Sequence, residues 1–202
     1  MIYSCIVISL SSFTVEAQDL HYAIITMAIY TKMIFTYIYF VPAINIITII
    51  TAGTILLEDK PVSSEKLNRN CSYLFQNPDY QLFLPTARAE LEYGLKLQKM
   101  DSCGIEKRVQ EAIKIFGIEH PDAPPVLMSY GQRKKMQAAI YWLLNKKIVI
   151  IDEADSGISS KEYRQIIEAF RQSPANPAIL IITHDIQLAA LEADKIFRMG
   201  AL

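Results

Sequence analysis

Four short clusters in this chain carry residues able to do chemistry. Asp152-Glu153 follows the apolar run Ile148-Val149-Ile150-Ile151, so two carboxylates stand at the tip of a buried strand. The first could hold Mg²⁺, usually through water, and the second could orient or deprotonate an attacking water. Alone, the pair also fits two solvated acids in the turn after any strand. Ser129-Tyr130-Gly131-Gln132 opens a helix, where unpaired N–H groups and a partial positive charge favour a phosphate. An ordinary N-cap serine reads the same way. Gln76 ends a strand and could ligate Mg²⁺ or a water, or simply face solvent. His184 follows another strand and could donate to a phosphate, or be a satisfied polar group at a strand edge. No Gly-Lys dipeptide occurs in the chain, so the Gly-x-x-x-x-Gly-Lys-Ser/Thr phosphate cradle is not present.

The elements that would position these clusters are legible from about Gly53 onward. Gly53 to Leu57 reads as a short strand entering a turn at Asp59-Lys60-Pro61, and Cys71 to Phe75 as another strand. Thr86 to Lys99 reads as a helix. Ile105, Val109, Ala112, Ile113 and Phe116 keep helical spacing, with Gly117 at the stop. Met136, Ala139, Ile140, Leu143 and Leu144 mark one face of the helix after Gln132. Ser159-Ser160-Lys161-Glu162 is a capping box before a helix that turns Tyr163, Ile166, Ile167 and Phe170 inward. Ala178 to Ile182 is a strand, Ile186 to Ala193 a helix, and Lys195 to Met199 a last strand. Strands alternating with helices predict an α/β fold with a mainly parallel sheet. A helical subdomain is expected at about 86–125.

Composition divides the chain. Residues 1–57 carry only Glu16, Asp19 and Lys32 as charges, and 33–57 carry none. The latter is long enough to cross a bilayer, which needs about 20 apolar residues. Yet it is rich in Ile, Thr and Tyr and contains Pro42, which suit strands better than a helix. Residues 1–52 are therefore a membrane anchor, buried strands, or a stretch replacing the usual amino-terminal half of the domain. Met1 to Phe13 has no Lys or Arg ahead of its apolar stretch, unlike a signal peptide. Lys and Arg number 20 against 21 Asp and Glu, which gives no basis for nucleic-acid binding. Three scattered cysteines fit neither a disulfide framework nor a metal site.

The order Gln76, Ser129-Tyr130-Gly131-Gln132, Asp152-Glu153, His184 resembles that of ABC-type ATPases. Asp152-Glu153-Ala154-Asp155 also spells a DEAD-type helicase box, but Ser156-Gly157-Ile158-Ser159 fits the D-loop of the ABC group better. From about Gly53 to Gly200 the chain is similar to the ATP-binding subunits of energy-coupling-factor importers. Phe75-Gln76-Asn77-Pro78-Asp79-Tyr80-Gln81-Leu82-Phe83, with Pro85-Thr86 and Glu90, looks like that group's extended Q-loop.

The resemblance implies a P-loop-type core, ATP and Mg²⁺ as cofactors, and two partners: a second ATPase subunit and a transmembrane coupling subunit. It implies a peripheral place on the cytoplasmic membrane face. Asp152 and Gln76 would hold Mg²⁺, Glu153 would be general base and His184 the γ-phosphate sensor. Ser129, Tyr130, Gly131 and Gln132 would touch ATP held by the partner ATPase. Three departures stand out: Tyr130 for a first glycine, Ala154 for a proline, and Ser159 for an aspartate. The missing lysine loop predicts weak ATP binding by this chain alone, and the end at Leu202 omits the extension usual in these importers. A non-catalytic membrane-associated regulator and a non-functional remnant are the alternatives.

Overall fold

The computed structural model describes residues 5–9, 56–57, 60–61, 63–153, 155 and 157–198. Most of the expected 1–52 segment, the strand start at Gly53 to Ile55, Ala154 and Ser156 lie outside the described residues. The chain divides into two compact units, one of residues 1–10 with 72–202 and one of 11–71.

In the second unit, β2 (Leu56–Leu57) pairs antiparallel with β3 (Lys60–Pro61), Leu56 opposite Pro61 and Leu57 opposite Lys60. Lys60 and Pro61 are thus paired strand residues rather than part of a turn. Helix α1 (Ser64–Asn70) follows, with Ser63 as its cap: the Ser63 hydroxyl oxygen accepts from the Lys66 N–H at 3.3 Å.

The first unit is built on a five-stranded sheet. In spatial order its strands are β4 (Cys71–Leu74), β5 (Ile148–Asp152), β6 (Ala178–Thr183), β1 (Cys5–Ser9) and β7 (Lys195–Arg198). Strands β5 and β6 run parallel, Ile148 opposite Ala178 through Asp152 opposite Ile182. This is the parallel pair expected of two near-continuous apolar runs. Strand β1, in a region the sequence left open, runs antiparallel to both β6 and β7.

Helices cover the sheet. α2 (Ala87–Leu97) and α3 (Ser102–Phe116) pack on α4 (Tyr130–Leu144). α5 (Ser160–Arg171) packs on α4 as well, and the Trp142 indole N–H donates to the Ala169 carbonyl at 2.9 Å. α6 (Ile186–Glu192) lies between β6 and β7 in sequence. Local chemistry explains the boundaries. Thr86 caps α2, Asp101 caps α3, and Gly117 ends α3 at φ +63°, a conformation glycine adopts without strain. Ser159 and Glu162 form the expected reciprocal capping box of α5.

The core joins Leu91 and Leu95 of α2, Val109 and Phe116 of α3, and Met136 and Leu143 of α4. It continues through Val149 and Ile151 of β5 to Tyr163, Ile167 and Phe170 of α5 and Ile179 of β6. Each such large apolar side chain contributes about 1.5–3 kcal/mol when fully buried. This packing fixes the β5 and β6 tips, which carry the acids and the histidine. No helix among the described residues is long and apolar enough to cross a membrane.

Candidate functional site

Asp152 closes β5, and the chain turns sharply at Glu153, whose φ is +45°. A non-glycine residue pays for that left-handed backbone in strain, and such residues gather at functional sites. The Glu153 N–H donates to the Ile182 carbonyl of β6 at 2.9 Å, which pins the turn to the neighbouring strand. The parallel register then places His184, just past the end of β6, against Glu153.

The Glu153 carboxylate is held from two sides. The Gln76 amide donates to Oε2 at 2.8 Å, and His184 Nε2 pairs with Oε1. Asp152, next to it, accepts from the Tyr73 hydroxyl at 2.7 Å. Burial pushes the Asp152 carboxyl above the usual range, and the Glu153 charge adds to this. The Tyr73 hydrogen bond and the charges of Lys134 and His184 pull the other way. Asp155 accepts from the Thr183 hydroxyl at 2.9 Å, so three acids crowd the ends of β5 and β6.

Lys134 answers that crowding. Its side chain is 1% exposed and its ammonium has no hydrogen-bond partner. Burial lowers its pKa from 10.5 to about 8, against the opposing pull of Asp155, Asp152 and Glu153. Tyr73, Asp155 and Lys134 were not among the candidate site residues read from the sequence. None of the three carried a sequence signal for this placement: Lys134 lies opposite the Met136, Ala139, Ile140 and Leu143 face of α4, on a second side that the structure buries with Ala138 and Trp142.

The Ser129 hydroxyl oxygen accepts from the Gln132 N–H at 3.3 Å, and Gln132 Oε1 accepts from the Ser129 N–H at 2.8 Å. Ser129 is exposed at the helix start. Gly131 packs against Ile158, where an added Cβ would lie 3.5 Å from its methyl group. Gly157 sits at φ +77° beneath the Tyr130 ring. The two loops named from the sequence, 129–132 and 156–159, therefore meet within one chain, apart from Ser156, which is not described. The Gln76 loop joins them: Arg133 pairs with Asp79 at 2.7 Å and donates to the Met128 carbonyl at 2.5 Å. A polar chain beneath supports this loop. Gln81 donates to the Tyr73 carbonyl at 3.0 Å and accepts from Gln137 of α4.

Asp152 and Gln76 offer a carboxylate and an amide carbonyl, the hard oxygen donors that suit Mg²⁺. The surplus of negative charge around Asp152 fits a cation there. Among the described residues no group of three His, Cys, Asp or Glu side chains is arranged to hold a metal. A magnesium ion would thus need further oxygens from substrate or water.

The sequence pattern described as "ABC transporter" matches residues 41–156. An energy-coupling factor transporter ATP-binding protein of Clostridium perfringens is 32% identical over 157 residues, covering 74% of this chain and 55% of the relative. One of Methanocaldococcus jannaschii is 30% identical over 156 residues, covering 74% of this chain and 56% of the relative. The chain spans little more than half the length of these relatives. Among solved structures, cbiO1 from Clostridium perfringens, part of the ABC transporter complex cbiONQ, superposes with a TM-score of 0.64. It is 27% identical, covering 84% of this chain and 67% of that one. An ATP-binding cassette dimer bound to ADP and phosphate shares the fold, with a TM-score of 0.59 at 19% identity, over 75% of each chain. With the acids at the end of β5, the histidine beyond β6 and the glutamine loop converging on Glu153, and the family's pattern spanning more than half the sequence, this chain belongs to the ABC transporter family and is similar to its energy-coupling-factor ATP-binding subunits.

Proposed function

We propose that this protein is an ATP-binding subunit of an ABC-type importer of the energy-coupling-factor kind, coupling ATP hydrolysis to solute uptake. The clasp of Gln76 and His184 on Glu153, beside Asp152, is the observation that carries this reading. Magnesium, when bound, supplies charge neutralisation at phosphate oxygens. Asp152 and Gln76 would provide protein oxygens to it. Glu153 would orient or deprotonate the attacking water, and His184 would sense the γ-phosphate. Tyr73 would hold the Asp152 carboxylate in place by its hydrogen bond.

The chain's own nucleotide site is weak in this reading, because no Gly-Lys cradle opposes the triphosphate charge. Ser129, Gly131 and Gln132 would instead serve a nucleotide bound by a partner ATPase. A transmembrane coupling subunit is the second partner. The exposed Tyr80, Phe83 and Tyr93, with Phe83 and Tyr93 in edge contact at 5.6 Å, give it an apolar surface beyond Gln76. Such a complex places the chain on the cytoplasmic face of the membrane. A non-catalytic membrane-associated regulator is the second reading, favoured by the charge-free stretch 33–57 together with the missing lysine loop.

The test mixes the full chain with an intact paralogous ATPase. Stimulated ATP hydrolysis that collapses at least tenfold with Ser129→Arg is the expected result. An unchanged rate with that variant sinks the role in trans.

A further inference from the structure

Tyr130 stands where the three loops of the site meet. Its hydroxyl donates to the backbone carbonyl of Gln76 at 2.9 Å. Its ring lies so close over Gly157 that a Cβ there would come within 2.6 Å of Cε1 and 2.7 Å of Cδ1. The Arg133 guanidinium lies 5.9 Å from the ring centroid and pairs with Asp79, three residues past Gln76. The Lys134 ammonium lies 5.7 Å from the same ring. From Gln76 the connection runs on through its side chain to Glu153.

We propose that Tyr130 is a positioning residue that ties the Gln76 loop and the Gly157 turn to the start of α4, and so keeps the Gln76 amide on Glu153. The argument is geometric. Gln76 is exposed, and a loop glutamine has no reason of its own to stay on one carboxylate. The Tyr130 hydroxyl fixes the Gln76 backbone, Arg133 fixes the loop three residues on, and the side chain between them can then reach Glu153. Gly157 must lack a side chain for the ring to lie where it does. In this arrangement both Glu153 oxygens are engaged, one by Gln76 and one by His184, so the tie holds the carboxylate in a closed arrangement. This role is carried within the chain, unlike the nucleotide contact in trans that family resemblance implies for position 130. The tie needs no nucleotide; its effect on hydrolysis rests on the function proposed above.

The test uses the full chain carrying Tyr130→Phe, which removes only the hydroxyl. Backbone amides of Gln76, Asn77 and Asp79 should exchange roughly fivefold faster, the effect of losing one ordinary hydrogen bond. The Gln76 side-chain amide resonance in a ¹⁵N spectrum should move. The Arg133 amide, bonded to the Ser129 carbonyl at 3.0 Å, should exchange as in the parent chain. Gly157→Ala, which keeps the hydroxyl group but pushes the ring that carries it, should move the same Gln76 resonance. An unmoved Gln76 resonance in both variants overturns the tie. So does a uniform rise in exchange across α4 and the loop, which is what a merely structural role predicts. Failure of the mixed ATPase assay would overturn the hydrolytic reading and leave these exchange results standing.

Discussion

At the scale of single residues, one buried cation beside the site is compensated by charge rather than by hydrogen bonds. Lys134 is a buried ammonium without a hydrogen-bond partner, helped by the field of Asp155, Asp152 and Glu153 and by the Tyr130 ring 5.7 Å away. Its folded pKa, about 8, lies below the ordinary 10.5. The folded protein therefore holds this proton less tightly than the unfolded chain, and its desolvation penalty is fully present below about pH 8. Stability should rise as pH climbs from about 8 toward 10.5. Lys134→Met should remove that rise, a difference of up to roughly 3 kcal/mol between the two chains' pH profiles. Urea unfolding at pH 7.5 and pH 10 checks it, and parallel profiles would refute it. The position was not legible: the inward face read from the sequence, Met136, Ala139, Ile140, Leu143 and Leu144, lies on the other side of the helix from Lys134. Tyr73 was not legible at all, since its partner lies 79 residues away and only the pairing of β4 beside β5 brings them together.

At the scale of elements, side chains that satisfy backbone groups decide where helices and turns begin. Glu90 is 3% exposed, and its Oε1 accepts from the N–H groups of Phe83 and Leu84, the latter at 2.6 Å. Burial raises its pKa while those two bonds restrain the rise. Glu90→Ala leaves both donors without that partner and should destabilise the unit by about 1–3 kcal/mol. Faster exchange at Phe83 and Leu84 would locate the damage. Glu162 does the opposite. The Lys135 ammonium 2.7 Å away and the Ser159 cap lower its pKa from 4.5 to about 2. Its stabilisation is present above the unfolded value and is lost as pH falls from 4.5 toward 2. The pair is partly exposed, so Glu162→Gln should cost only roughly 0.5–1 kcal/mol at pH 7. That deficit should vanish near pH 2; a persistent one would contradict the ion pair as its source. The α5 box was plain in Ser159-x-x-Glu162 because capping is local chemistry. The buried role of Glu90 depends on a turn seven residues upstream and left no periodic trace.

At the scale of the whole molecule, the sheet closes around a strand from the far amino-terminal end. Strand β1 separates β6 from β7 and pairs with both. Removing residues 1–10 leaves those two strands with unpaired backbone edges, which invite intermolecular pairing. The shortened chain should melt at lower temperature and elute as aggregate in size-exclusion chromatography. A monomer with the parent's melting curve would refute the pairing. The sequence offered the run Cys5-Ile6-Val7-Ile8 but no direction for it, because strand direction depends on connections rather than residue type. The α/β alternation from Cys71 onward was readable, since each buried strand and amphipathic helix there keeps its own period.

The left-handed turn at Glu153 has one further consequence. Glycine would relax the torsion there without effort, so the fold tolerates local tension to keep a carboxylate at that spot. Laboratory selection for thermal robustness alone would drift toward glycine or asparagine at this position, and each gain in melting temperature would erase the group on which Gln76 and His184 converge.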